Sequence, residues 1–222
     1  MSRERLFEIL ALLPEATFET VYMTFVSTVF ACILGFPLGI YLYVSSPAGL
    51  APRRVLYNTV SRVVNLFRSI PFIILIVLLI PLTRMIAGTS IGPTATIVPL
   101  SIAAAPFVAR IMETALSEVE PGVITAAKAM GSTKRQIICK VLIPEAMPAL
   151  VSALALTIIN LIAYSAMAGA IGGGGLGDLA IRYGFHRFQT DVTIAAVIII
   201  LLLVELVQFA GTLVSRRLLS QR

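Results

Sequence analysis

Few side chains in this 222-residue chain could make or break bonds, and they are scattered. His186 is the single histidine, with no Cys, His or Asp cluster beside it, so it reads as a polar loop residue and no metal site is expected. There is no carboxylate pair inside an apolar run, no Ser-His pair and no HExxH, so no catalytic residue is expected and intramembrane enzyme chemistry is disfavoured. Gly172, Gly174 and Gly177 have the spacing of a dinucleotide fingerprint, yet they follow an apolar helical run with no strand before it; a sharp turn accounts for them better. Gly131-Ser132-Thr133-Lys134 has the wrong order for a phosphate loop, so the chain is not itself an ATPase and carries no cofactor. Glu205 is the one acid well inside an apolar run, where reaching an interface or meeting a basic neighbour explains it without a proton relay.

Two arrangements remain. The first is mechanical: Pro121 suits a first helical turn, Ala126, Ala127, Lys128, Ala129 and Met130 favour helix, and Gly131 stops it. Thr133 and Gln136 then have capping-box spacing for a second helix, which Pro144 is expected to end. Two short helices at a corner faced with alanine, flanked by Lys128, Lys134, Arg135 and Lys140, would fit a partner's socket; the same pattern fits an ordinary polar loop. The second is a stripe of polar and small residues, Asn160 to Gly169, in an apolar helix. Tyr164, Ser165 and Met167 on it could line or close a solute path, although a methionine also serves as a gap-filler in packed interiors.

The elements that position these residues are set by composition. With 58% hydrophobic and 13% charged residues the chain belongs in a bilayer, where about 20 apolar helical residues cross the hydrocarbon. An all-α, polytopic membrane protein with about five transmembrane helices is expected, as one transmembrane domain over 1–222. Its spans are 20–43, 64–84, 93–115, 145–169 and 191–214, with the loop at 118–143 between the third and fourth. Twelve of the seventeen basic residues fall on one side if the N-terminus is outside and the C-terminus cytosolic; that side then carries +8 and the other −1. The basic excess sets topology and is no nucleic-acid footprint, since stacking aromatics are not interleaved with it. Cys32 and Cys139 fall in different parts of this topology, so no disulfide is expected.

Residues 1–17 mix both charges around Pro14 and do not read as a cleavable signal. Leu6, Ile9, Leu10 and Leu13 at helical spacing suggest a short interfacial helix before the first span. Residues 53–68 suit a basic amphipathic helix along the inner surface. Pro71 then breaks regularity, as a bundle-facing kink or as a simple junction.

Thr125-Ala126-Ala127, Gly131 and Val141-Leu142-Ile143-Pro144 resemble the Glu-Ala-Ala, Gly, Ile-x-Leu-Pro signature of importer permeases of the ATP-binding cassette superfamily, with Thr125 where the signature has Glu. Glu19-Thr20, 67–74, 88–92, 103–110, 164–169 and 172–177 are similar to the methionine-uptake family of these permeases. The resemblance covers nearly the whole chain. It implies a type I importer permease subunit in the cytoplasmic membrane of a bacterium, for L- or D-methionine and related compounds, working by alternating access. The implied partners are a second permease copy, two copies of a cytosolic ATPase carrying ATP and Mg²⁺, and an outer-face methionine-binding protein. Ala126, Ala127, Met130, Gly131, Lys134 and Pro144 would couple to the ATPase. A permease for another solute, or a passive channel or membrane scaffold, remains open on the residues alone.

Overall fold

The computed structural model describes residues 3–220, with side chains from Ala11 onward. Every regular element among them is helical. Helix α1 spans Arg3–Ser45, α2 Arg54–Ser69, α3 Phe72–Leu78, α4 Ile80–Ala87 and α5 Pro93–Ser117. Then come α6 at Pro121–Ala129, α7 at Lys134–Ile137, α8 at Ile143–Gly169, α9 at Gly175–Leu179 and α10 at Thr190–Leu219. Two π segments, Ile138–Leu142 and Ala180–Phe185, follow α7 and α9.

Four stretches are long and apolar enough to cross a membrane: Ala11–Ser45, Pro93–Ser117, Lys134–Gly169 and Thr190–Leu219. A fifth arises if α2 and α3, bent by 100° at the break before Phe72, form one span. This revises the second span. Pro71 lacks a donor and disfavours helix at Ile70, and Pro81 restarts the chain as α4, so three short helices occupy the place of one.

The start of the chain also differs from expectation, because no separate interfacial helix precedes the first span. Pro14 lies inside α1, where Leu13 and Ala16 on either side of it pack on Leu176, Leu179, Val192 and Ala196 and hold the helix together. The side chains of Leu6, Ile9 and Leu10 lie outside the described residues.

Contacts divide the chain into two compact units. The first comprises Met1–Ala31, Ile70–Ala104 and Ile158–Gln208. Its distinctive feature is the glycine run. Gly172, Gly174 and Gly175 adopt φ of 82°, 79° and 76°, which a Cβ would strain. The amides this leaves exposed are capped from α1: Glu19 Oε2 accepts from Gly175 N at 2.6 Å and Thr20 Oγ1 from Leu176 N at 2.9 Å. No helix of its own could supply that cap, since the N-cap position is Gly174.

The second unit comprises Cys32–Ser69, Ala105–Thr157 and Phe209–Arg222. Here α1 and α5 cross at close range. A Cβ on Gly35 would lie 2.6 Å from Val108 Cβ, and one on Gly39 2.5 Å from Met112 Cβ. With lipid as solvent, such close approach supplies the van der Waals contact that holds helices together. Helix α10, which belongs to the first unit up to Gln208, shows most of its apolar surface there, with Ile198, Leu202 and Leu206 all half exposed or more.

Candidate coupling elbow and translocation path

The elbow folds as its residues dictate. Pro121 stands in the first turn of α6, and the helix closes at Gly131, whose φ is 79°. Ser132 N donates to Ala127 O at 3.1 Å and Gly131 N to Lys128 O at 3.0 Å, the paired bonds of a Schellman ending. Directly after it, Thr133 N donates to Gln136 Oε1 at 2.8 Å and Gln136 N to Thr133 Oγ1 at 3.3 Å, completing a capping box. Both ends facing the corner are therefore satisfied, which fixes its angle.

The six residues expected to couple do not share one surface. Ala126, Gly131, Lys134 and Pro144 are exposed, and Met130 is 79% exposed. Ala127 turns the other way: at 2% exposure it is buried against a core of Tyr43, Met112, Leu116, Ile137 and Leu142. Thr125, in the place of the signature's Glu, donates its hydroxyl to Pro121 O at 2.9 Å and so is satisfied within its own helix.

Pro144 does not end the second helix. The chain continues from Lys134 to Gly169, and Ile143 N donates to Ile138 O across the π segment. That wider turn places Pro144 in the first turn of α8, where a missing N–H is tolerated.

Of the three path candidates, Met167 is 49% exposed and Tyr164 is half-buried, its ring stacked on Phe72 with centroids 4.7 Å apart. Ser165 is 1% exposed and donates to Ile162 O at 2.8 Å, so its hydroxyl serves its own helix and faces no path here. Phe72 follows Pro71 directly, and the break in the second span is what delivers its ring to Tyr164. Asn160 is half-buried.

A further polar cluster was not singled out in the sequence. Arg110 Nη1 meets Glu113 Oε2 at 2.6 Å, while its Nη2 donates to Ser61 Oγ at 2.8 Å and Asn65 Oδ1 at 2.9 Å. Tyr57 Oη donates to Glu113 Oε1 at 2.9 Å. Tyr57, Ser61 and Asn65 lie at helical spacing on α2, so one ion pair of α5 clasps three positions of that helix. The i, i+3 spacing of Arg110 and Glu113 was the available signal.

Residues 35–220 match the family of binding-protein-dependent transport system inner membrane components. The chain belongs to that family. It is thus a multi-pass inner-membrane component of a binding-protein-dependent transport system, in keeping with its apolar helices. It is 47% identical over 206 residues, 93% of this chain and 92% of the relative, to the probable D-methionine transport system permease protein MetI of Vibrio cholerae. Against the D-methionine transport system permease protein MetI of Escherichia coli K12 identity is 54% over 158 residues, 71% of this chain and 73% of the relative. A chain of the inward-facing MetNI methionine ABC transporter superposes with a TM-score of 0.92 at 48% identity, covering 98% of this chain and 99% of that one. An amino acid ABC transporter solved with histidines shares the fold at a TM-score of 0.79 and 22% identity.

Proposed function

We propose that this chain is the transmembrane permease subunit of an ATP-driven importer of methionine, L or D, and related compounds. The observation that carries the reading is the likeness to the MetNI transporter chain over nearly the full length of both, elbow included. In this reading two copies of the chain form the path, two cytosolic ATPase subunits bind ATP and Mg²⁺, and an outer-face binding protein delivers the solute. The C-terminus and the elbow face the cytosol and the N-terminus faces outward, as the placement of basic residues favours.

Each elbow presents Ala126, Met130, Gly131, Lys134 and Pro144 to an ATPase, with Ala127 anchoring the corner from within. Because the corner is closed by both the Schellman ending and the capping box, the elbow answers motion of the ATPases as one rigid piece. Tyr164 and Met167 of both copies then part to open the path. A stripe without fixed charge suits a zwitterion with a thioether tail.

The test is reconstitution with the cognate ATPase and binding protein, scoring ATP hydrolysis and uptake over a panel of amino acids. Stimulation by L- or D-methionine is expected, and Met167→Ala should shift the half-saturating methionine concentration with folding unchanged. Stimulation by other amino acids and not by methionine would refute the solute assignment; hydrolysis indifferent to every solute would refute the importer reading.

A further inference from the structure

Helix α2 is amphipathic in a way that the clasp to α5 does not use up. Tyr57, Val60, Ser61 and Val64 face the protein, yet Val55 is 80%, Leu66 65% and Val63 49% exposed. Beside this uncovered apolar face stand Arg53, Arg54, Arg62 and Arg68, all exposed and all without an ion pair or side-chain hydrogen bond among the described residues. No acid occurs anywhere from residue 20 to 112, so nothing within the helix neutralises them. The same compact unit carries the elbow.

We propose that α2 is a docking surface for anionic phospholipid, its Val55, Val63 and Leu66 side chains sunk among acyl chains and its arginines on headgroup phosphates. An apolar face alone would accept many occupants. Four unpaired guanidinium groups on its edge select one of opposite charge, and a fluid anionic leaflet supplies both the apolar depth and the phosphates. Seated there, α2 holds α5 through Arg110 and Glu113, so lipid charge on the elbow side steadies the helix from which the elbow departs.

The chain has no tryptophan, so Leu66→Trp creates a unique fluorophore on the exposed face. The full chain carrying it is placed in vesicles of phosphatidylcholine and phosphatidylglycerol, with bromine on the acyl chains of one lipid or the other. Stronger quenching by the brominated phosphatidylglycerol is expected, weakening as salt is raised, since each arginine near a charged surface contributes about fivefold in binding. In the further variant Arg53→Gln/Arg54→Gln/Arg62→Gln, with an unchanged circular dichroism spectrum, the two brominated lipids should quench equally. Should that variant misfold, the salt dependence of the Leu66→Trp chain decides alone. The proposal is overturned by equal quenching in the starting chain, by a preference indifferent to salt, or by emission that neither lipid quenches, which would give the face to a protein such as a second copy or the ATPase. No transport is measured, so this outcome is independent of the solute assignment.

Discussion

Replacing Arg110 with alanine strips Glu113 of its nearest partner while leaving the carboxylate where it is. The Glu113 side chain is 9% exposed, and the lost contact is the 2.6 Å ion pair; the bonds to Ser61 and Asn65 go with it. Breaking a buried pair from one side destabilises by about 3–5 kcal/mol, because the remaining charge is uncompensated. The Tyr57 hydroxyl still donates to Glu113, and a bond to a charged group is worth about 1.5–3 kcal/mol, so the lower end of that range, about 3 kcal/mol, is expected. Arg110→Ala/Glu113→Gln removes both charges and should recover about half of the loss. The assay is unfolding of the purified chain in mixed micelles with increasing denaturing detergent, comparing both single variants and the double. A double variant whose loss equals the sum of the single losses, or an Arg110→Ala chain as stable as the parent, would refute the claim that this pair is energetically coupled and clasps α2.

Two more expectations follow from burial. Ala126→Leu should leave the detergent stability of the chain within about 0.5 kcal/mol while weakening its hold on the ATPase in pull-down, whereas Ala127→Leu should lose about 1–3 kcal/mol through overpacking; equal behaviour of the two would refute the inward and outward assignment. Glu19→Gln keeps an acceptor but removes the charge at the capped glycine run, so amide exchange at Gly175 and Leu176 should accelerate severalfold by a loss of about 1 kcal/mol, and unchanged exchange would refute the cap.

Properties carried by composition or by residues close in sequence were legible from the start. Apolar length marked the membrane helices, and Pro121, Gly131, Thr133 and Gln136 marked the elbow, because helix ends are local chemistry. Proline is a weaker local signal. Pro144, expected to end the second short helix, is passed by a π turn, and Pro14 sits inside α1 where Leu13 and Ala16 pack on the core. What joins residues far apart in the chain left no mark at all. The bonds of Arg110 reach back 45 and 49 residues, and Glu19 finds its amide 156 residues on. Side-chain facing was equally hidden: adjacent alanines 126 and 127 have the same propensity and opposite fates, and only the third dimension shows that Ser165 spends its hydroxyl on its own helix.

The long reach of Glu19 bears on how the protein is made. When α1 first leaves the ribosome, the amides of Gly175 and Leu176 do not yet exist, and the acid enters the translocation machinery unmatched. The far end of α1 can pack on α5 once residue 112 has been made, whereas the Glu19 and Thr20 end meets the amides it caps only after residue 176, so the two ends of one helix find their partners at different stages of synthesis.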